Sequence, residues 1–390
     1  MVSIVFVTSV VGSFPRPKWL IEARRAFEEG RISREELREY EDDAVKVVVK
    51  EQEMVGVEVI SDGEYRRFSF LGFVGEKVEG FSLVPVSRLA VSAEARSAIE
   101  AMSFPERAVR NPVVVGRISR PRPMALDELL FLKGVTSRAV KIALPSPYTI
   151  YWNAWHHELS KPYYPSPDAM IQDYIKVLRQ EIAELFEKGA DFVQLDEPAM
   201  GNLVEAGDDK PDRYKRLLTA LNGIRYRGFR DELALAVDLI NEAVKGFGGR
   251  IGVHICRGNW PAPEEYLIKG GYEKLMPAML DMKAKQLVLE YATPRAGSIE
   301  AFKEYTWGGE IGLGVIDVKN PEVETPEVIV KRVERALRYF DPEKIWLNPD
   351  CGFASGLPWP VSTRNIALEK LRNMVKASGI LRMRYRASER

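Results

Sequence analysis

The chemistry-bearing residues of this chain are few and well placed. It has two cysteines and three histidines in 390 residues. Cys256 closes the strand-like run Arg250-Ile-Gly-Val-His-Ile-Cys256, and Cys351 closes Lys344-Ile-Trp-Leu-Asn-Pro-Asp-Cys351. His254 stands two residues before Cys256, and alternate residues of a strand share a face. Two thiols and an imidazole are three of the four ligands that Zn2+ takes. Glu290, at the tail of Leu287-Val-Leu-Glu290, would be the fourth as a carboxylate near a cation. Each residue also has an ordinary reading. A lone strand cysteine is a small buried hydrophobe, and an acid at a strand end can simply reach water. Occurring together at strand ends, they favour a metal.

Such a centre has a defined chemistry. Two thiolates, one imidazole and one carboxylate leave zinc with a net charge of about −1, a poor setting for generating hydroxide. The same site suits a substrate thiol, because coordination deprotonates it and the electron-rich ligands keep its sulfur nucleophilic. The expected reaction is alkylation of a substrate thiol.

The elements that must position these residues recur along the chain. Strand-like runs are expected at Ser3–Ser13, Val57–Glu64, Ala139–Pro145, Asp191–Glu197, Arg250–Cys256, Lys285–Tyr291, Glu310–Asp317 and Lys344–Cys351. Helical segments lie between them. Ser166-Pro167-Asp168 opens one as N-cap, first-turn proline and acid. Apolar residues follow it at three-and-four spacing from Ile171 to Phe186, and Gly189 ends it. Thr325-Pro326-Glu327 opens another. Eight β–α units predict a TIM (β/α)8 barrel covering residues 1–390 as one catalytic unit. The interval 65–138 is too long for a simple crossover. It reads as an insertion between strands two and three, with a hairpin of Phe81–Val86 and Pro112–Ile118 over one barrel end.

Barrels of this kind place their active sites at the C-terminal ends of the strands. Here those ends carry Ser13, Asp62 and Glu64, Asp196 and Glu197, His254 and Cys256, Glu290, Asp317, and Asp350 and Cys351. Singly, Asp62, Glu64 or Asp196 would be a cap or a salt-bridge partner. Three acids on one rim would attract an ammonium group or hold a proton. His156 and His157 sit in a Trp-flanked loop and read as surface or aromatic-cluster residues. Lys+Arg and Asp+Glu both number 56, so neither nucleic acid nor an anionic membrane is expected as a partner. The apolar N-terminus reads as a first strand rather than a signal peptide. Two distant cysteines form no disulfide framework and suit a reducing cytoplasm.

Several motifs, in order, resemble the signature series of the cobalamin-independent methionine synthase family. They are Val11-Gly12-Ser13-Phe14-Pro15, Asp62-Gly63-Glu64, Gln194-Leu-Asp196-Glu197-Pro-Ala199, His254-Ile-Cys256 and Asn348-Pro-Asp-Cys351-Gly352. The likeness is to that family's C-terminal catalytic barrel and to its short, single-barrel members. The resemblance implies that His254, Cys256, Glu290 and Cys351 bind zinc. It also implies that Ser13, Glu64 and Asp196 hold the amino and carboxylate ends of homocysteine, with Glu64 and Asp196 counted in the catalytic set. Two departures fall on the donor side. Lys319 stands where the family carries a histidine implicated in protonating the folate donor. Trp152 matches the expected ring-stacking tryptophan only with a one-residue offset.

The leading expectation is therefore methyl transfer to homocysteine, with a methylfolate, or a methylated corrinoid carried by a partner protein, as donor. A thiol alkyltransferase of the epoxide–coenzyme M type is the alternative, but coenzyme M has no ammonium group for Glu64 and Asp196. A metal-free barrel like the uroporphyrinogen decarboxylases would leave the thiols idle. A structural zinc module would draw ligands from local Cys-x-x-Cys pairs, not from three separate strands.

Overall fold

The computed structural model describes residues 5–90, 97, 110–259, 267–354 and 360–386. Ten strands are described: β1 Val7–Thr8, β2 Val59–Ile60, β3 Glu79–Pro85, β4 Arg110–Ser119, β5 Ala139–Pro145, β6 Phe192–Asp196, β7 Ile251–Ile255, β8 Gln286–Glu290, β9 Glu310–Ile316 and β10 Ile345–Pro349. Eight of them form one sheet in the order β1-β10-β9-β8-β7-β6-β5-β2. Every pairing in it is parallel, and a parallel bridge from Ser9 to Val59 joins its two ends. The closed parallel sheet with outer helices is the expected TIM barrel.

The helices form for the reasons their sequences suggest. Ser166 caps the helix Pro167–Glu187 by accepting from the Ala169 N–H at 3.2 Å, and Gly189 adopts a left-handed φ of 89° just beyond its end. That helix buries Met170, Ile171, Tyr174, Ile175 and Leu178 against the barrel. Each such aliphatic side chain contributes about 1.5–3 kcal/mol, so the outer layer rests on apolar contact rather than on helix propensity. The helix Pro326–Ala336 repeats the pattern with Thr325 as cap and Ile329, Val333 and Ala336 buried.

Two expected strands are much shorter than their apolar runs. Of Ser3–Ser13, residues 3 and 4 lie outside the described residues, and only Val7–Thr8, with the Ser9 bridge beyond it, joins the ladder. The carbonyls beyond it are taken by side chains instead. Lys141 Nζ donates to Val10 O, Gln194 Nε2 to Val11 O and Ser61 Oγ to Gly12 O. With its acceptors occupied in this way, the segment enters the barrel mouth as loop. The run Val57–Glu64 ends early because Gly63 and Glu64 both have left-handed backbones, φ 70° and 57°, which no strand continues.

Strands β3 and β4 pair antiparallel with Phe81 opposite Val114. The hairpin docks on the outer layer: Phe81 packs edge-on against Tyr174, and Ser160 Oγ donates to Val114 O. The residues between the two strands include 91–96 and 98–109, which are outside the described set.

Inside the barrel the side chains fall into layers. Phe192, Trp346 and Val59 form an apolar plug at the N-terminal end. Lys141, Gln194, Gln286 and Asn348, all buried, occupy the middle. The acids, the imidazole and the thiols gather above them at the C-terminal ends of the strands.

Candidate metal centre and amino-acid site

Strands β7, β8 and β10 deliver the four donors to one point. The ligand atoms of His254, Cys256, Glu290 and Cys351 all lie within 4.8 Å of one another, and all four residues are buried. His254 is the inward-facing partner of Asp196 across the β6–β7 ladder. Its Nδ1 donates to Val288 O at 3.2 Å, which places the proton on Nδ1 and leaves the Nε2 lone pair inward. Nε2 is buried and has no hydrogen-bond partner among the described residues. This is how a metal-binding imidazole is held, with its second nitrogen on a carbonyl.

The two sulfurs are 3.4 Å apart. The Cys351 hydrogen bond makes Cys256 the more acidic thiol, helped by the neighbouring imidazole and opposed by burial, and its pKa lies well below the usual thiol range. Cys351 is pushed up by the same hydrogen bond and by burial. Burial also drives the Glu290 carboxyl upward, and the Cys256 thiolate adds to that. Three buried acids that cannot all ionise alone are what a divalent cation would neutralise together. The donor set fits zinc.

The carboxylate of the cluster is held by its neighbours. Glu290 Oε1 accepts from the Arg257 backbone N–H at 2.6 Å and from Asn259 Nδ2 at 2.7 Å. Oε2 is buried without a hydrogen bond among the described residues, with the Arg295 guanidinium 3.5 Å away. Arg295 also donates to Arg257 O, Ile268 O and Asn259 Oδ1, tying the loop after Cys256 to the loop after Glu290. Asp350 accepts from the Tyr291 and Ala292 N–H groups, both at 3.0 Å. It therefore acts as a staple between β8 and β10 rather than as a donor to the cluster.

Beside the metal cluster lies a second group of acids. Burial raises the Asp196 carboxyl above its usual range, with His254 working against the rise. Burial pushes Glu64 up to about 8; Arg67 opposes this, while Asp196 and Asp62 add to it. Two desolvated carboxyls that repel each other attract an ammonium group, which lowers both pKa values. Glu64 keeps its left-handed backbone because Arg16 Nη2 grips its carbonyl at 2.9 Å and Asp62 Oδ1 accepts its N–H at 2.9 Å. Ser13 faces the same mouth, and its Oγ accepts from the Ala354 N–H at 3.3 Å beside Cys351.

Gly12 is required by this packing. A Cβ there would sit 2.3 Å from Glu64 Oε1. The obstructing atom is a side-chain tip, so Gly12→Ala should displace the carboxylate and leave the barrel folded. The expected result is a rise of about tenfold in KM for an amino-acid thiol, the loss of one charged hydrogen bond, with an unchanged circular dichroism spectrum.

Protonation of Glu64 also sets a pH signature. Between its ordinary pKa of 4.5 and about 8 the folded protein holds a proton that the unfolded chain has released. The stabilisation is full below 4.5 and is lost as pH rises through 8. Metal-free Glu64→Gln should therefore lose less thermal stability than metal-free wild type between pH 5 and 8.5, as read by melting temperature.

Lys319 and Trp152 are the residues expected on the donor side. Lys319, half-buried, follows β9 in a turn where its backbone N–H donates to Asp317 Oδ1 at 2.9 Å. That turn borders a cavity of about 400 Å³ lined by Thr293, Asp317, Asn320 and Arg332 among others. Trp152 departs from its expected place. It is 0% exposed, its indole N–H donates to Glu232 at 3.1 Å, and Lys215 lies 5.4 Å from its ring. A tryptophan tied to the helical shell in this way offers no open ring face in this structure. His156 is buried and stacks on His157 at 5.1 Å.

The sequence reading assigned no role to Arg295, Asn259, Gln194 or Lys141. Lys141 left a signal: a lysine inside the apolar strand Ala139-Val-Lys-Ile-Ala-Leu-Pro145 needs buried acceptors.

Comparison with known proteins agrees with this geometry. Residues 6–226 and 265–379 match the family model described as the cobalamin-independent synthase catalytic domain. The methionine synthase of Sulfurisphaera tokodaii is 34% identical over 379 residues, 97% of this chain and 93% of that protein. The methionine synthase of Pyrococcus abyssi is 31% identical with the same coverage. A B12-independent methionine synthase from Shewanella, solved with selenomethionine, superposes with a TM-score of 0.73 at 22% identity, covering 98% of this chain and 99% of that one. A methyltransferase from Methanosarcina mazei superposes with a TM-score of 0.54 at 13% identity, covering 98% of this chain and 95% of that one. By sequence over nearly its whole length, the chain belongs to the cobalamin-independent methionine synthase family, within that family's catalytic domain.

Proposed function

We infer that this protein transfers a methyl group to the thiol of homocysteine, giving methionine, in one catalytic barrel with residues 65–138 as an insertion. The observation that carries this reading is the adjacency of two sites at one barrel mouth: four converging metal donors, and two buried acids beside them. Zinc held by His254, Cys256, Glu290 and Cys351 would supply thiol activation. Asp196 and Glu64 would take the ammonium of homocysteine, and Ser13 with the backbone beside it the carboxylate. That grip aims the side-chain sulfur at the ligand cluster and excludes water from it. In the reaction a sulfur–carbon bond forms as the donor–methyl bond breaks, and the thiol proton is lost to solvent. The donor's leaving atom, if nitrogen, needs a proton. Lys319 is the residue proposed for that step, and the two buried thiols fit a reducing cytoplasm.

The direct test is zinc content, followed by methionine formation from homocysteine with methylfolates and a methylcorrinoid offered separately. One zinc per chain and turnover with one donor class are expected. A zinc-free protein that still turns over would overturn the reading, and so would tight zinc with no reaction on homocysteine. With the productive donor known, Lys319→Met should lower kcat by about 10²-fold, the usual worth of a positioned acid. Its KM for homocysteine should stay unchanged, as measured by steady-state kinetics.

A further inference from the structure

The middle layer of the barrel contains a buried amine that the chemistry above does not use. Lys141 is 1% exposed, and its Nζ donates to Val10 O at 2.8 Å and to Gln194 Oε1 at 3.1 Å. The ring of Phe192 lies 4.5 Å below it. A backbone carbonyl can only accept, so Nε2 of Gln194 faces the mouth, where it donates to Val11 O at 3.0 Å and to Asp196 Oδ1 at 2.8 Å. Oε1 is thereby turned to the Lys141 amine, whose pKa burial lowers to about 7 and which can donate to it charged or neutral. One amine and one amide thus hold the carbonyls of Val10 and Val11, just before Ser13, and the carboxylate of Asp196.

We propose that Lys141 is a positioning residue for amino-acid recognition. Through Gln194 it sets the Asp196 carboxylate and the Ser13 segment at the spacing that the ammonium and carboxylate of homocysteine require. This inference rests on the homocysteine reading above. Without the Lys141 amine, Gln194 Oε1 would be left buried with no donor, and the amide would lose the contact that holds its Nε2 against Val11 O and Asp196 Oδ1. The metal donors lie on β7, β8 and the segment after β10, and none of them bonds to Lys141 or Gln194 among the described residues. The effect should therefore fall on the amino-acid end of the ligand and spare the sulfur end.

The test compares two thiols on zinc-loaded protein by calorimetry: homocysteine, and 4-mercaptobutyrate, which lacks the amino group. Wild type should bind homocysteine the more tightly. Lys141→Met should weaken homocysteine about tenfold, the scale of a charge-assisted hydrogen bond, while leaving 4-mercaptobutyrate and zinc stoichiometry unchanged. Gln194→Leu should do the same. The double variant should be no weaker than Gln194→Leu alone, because both act through one amide. If K141M does not fold, Gln194→Leu carries the comparison, since it removes the bridge and leaves the ammonium on Val10 O. Equal losses for both thiols, or an undiminished preference for homocysteine, would overturn the proposal. A wild type that does not distinguish the two thiols would overturn the homocysteine reading itself.

Discussion

Cys351→Ser is expected to yield a folded barrel with no stoichiometric zinc and with kcat/KM lowered by about 10³-fold, roughly 4 kcal/mol of transition-state stabilisation. The reasoning starts from the donor atom. At neutral pH a serine hydroxyl is not an anion, so the variant offers the cation one thiolate, one imidazole and one carboxylate. Changes one shell further out commonly cost 10–100-fold in metal affinity, and loss of a ligand should cost more. The fold should survive because its stability lies elsewhere. The apolar core runs through the helical shell and the strand faces, and the ligands sit above it at the mouth. Metal analysis by mass spectrometry, beside a melting curve, separates the two outcomes. A Cys351→Ser protein that keeps one zinc per chain would remove Cys351 from the site. His254→Ala should behave in the same way, since Nε2 has no other partner among the described residues.

Asp196→Asn should raise KM for homocysteine by about 100-fold, equivalent to about 2.7 kcal/mol, the order found when one half of a buried charged pair is removed. Asparagine has the same shape, so packing is preserved and only the charge is lost. Asp196 is buried, and its pKa is raised by that burial. An ammonium arriving at such a carboxylate meets little competing water, which is why the loss should be large. The sulfur end should be spared: zinc content stays at one, and 4-mercaptobutyrate binds as before. Isothermal titration with both thiols decides the matter. An Asp196→Asn enzyme with wild-type KM would show that the ammonium is held elsewhere.

These two effects differ in legibility. The candidate metal ligands could be picked from the sequence because each is chemically distinctive and each falls at or just beyond the end of a strand. His254 and Cys256 needed only the two-residue period to be expected on one face, and their donor atoms lie in one cluster. The acids were legible as a rim pattern. What the sequence did not display was how they are held. Glu64 depends on a left-handed backbone gripped by Arg16, and on a glycine fifty-two residues away that gives it room. Arg295 reaches back from the β8 loop to brace Glu290 through Asn259 and Arg257. Such contacts join positions far apart in the chain, and local pattern carries no trace of them.

Trp152 shows what spacing leaves open. Its position in the chain pointed to a stacking platform, yet a tryptophan's role depends on which way its ring turns. Helix Pro147–Ala154 turns this one outward onto Glu232. Sequence spacing alone cannot set that rotation, because every residue of that helix is buried on one side or another.

The sequence by itself determined the barrel, through eight parallel-strand runs with capped helices between them. It also singled out His254, Cys256, Glu290 and Cys351 as candidate metal donors, through residue chemistry at strand ends. Only the tertiary structure decided their common point of convergence, the pairing of Asp196 with Glu64, and the Lys141–Gln194 bridge beneath them. The physical reason is that strand periodicity and donor chemistry are local properties of the chain. Burial, charge neighbours and amide orientation exist only once the barrel has closed and brought β1, β5, β6 and β10 around one axis.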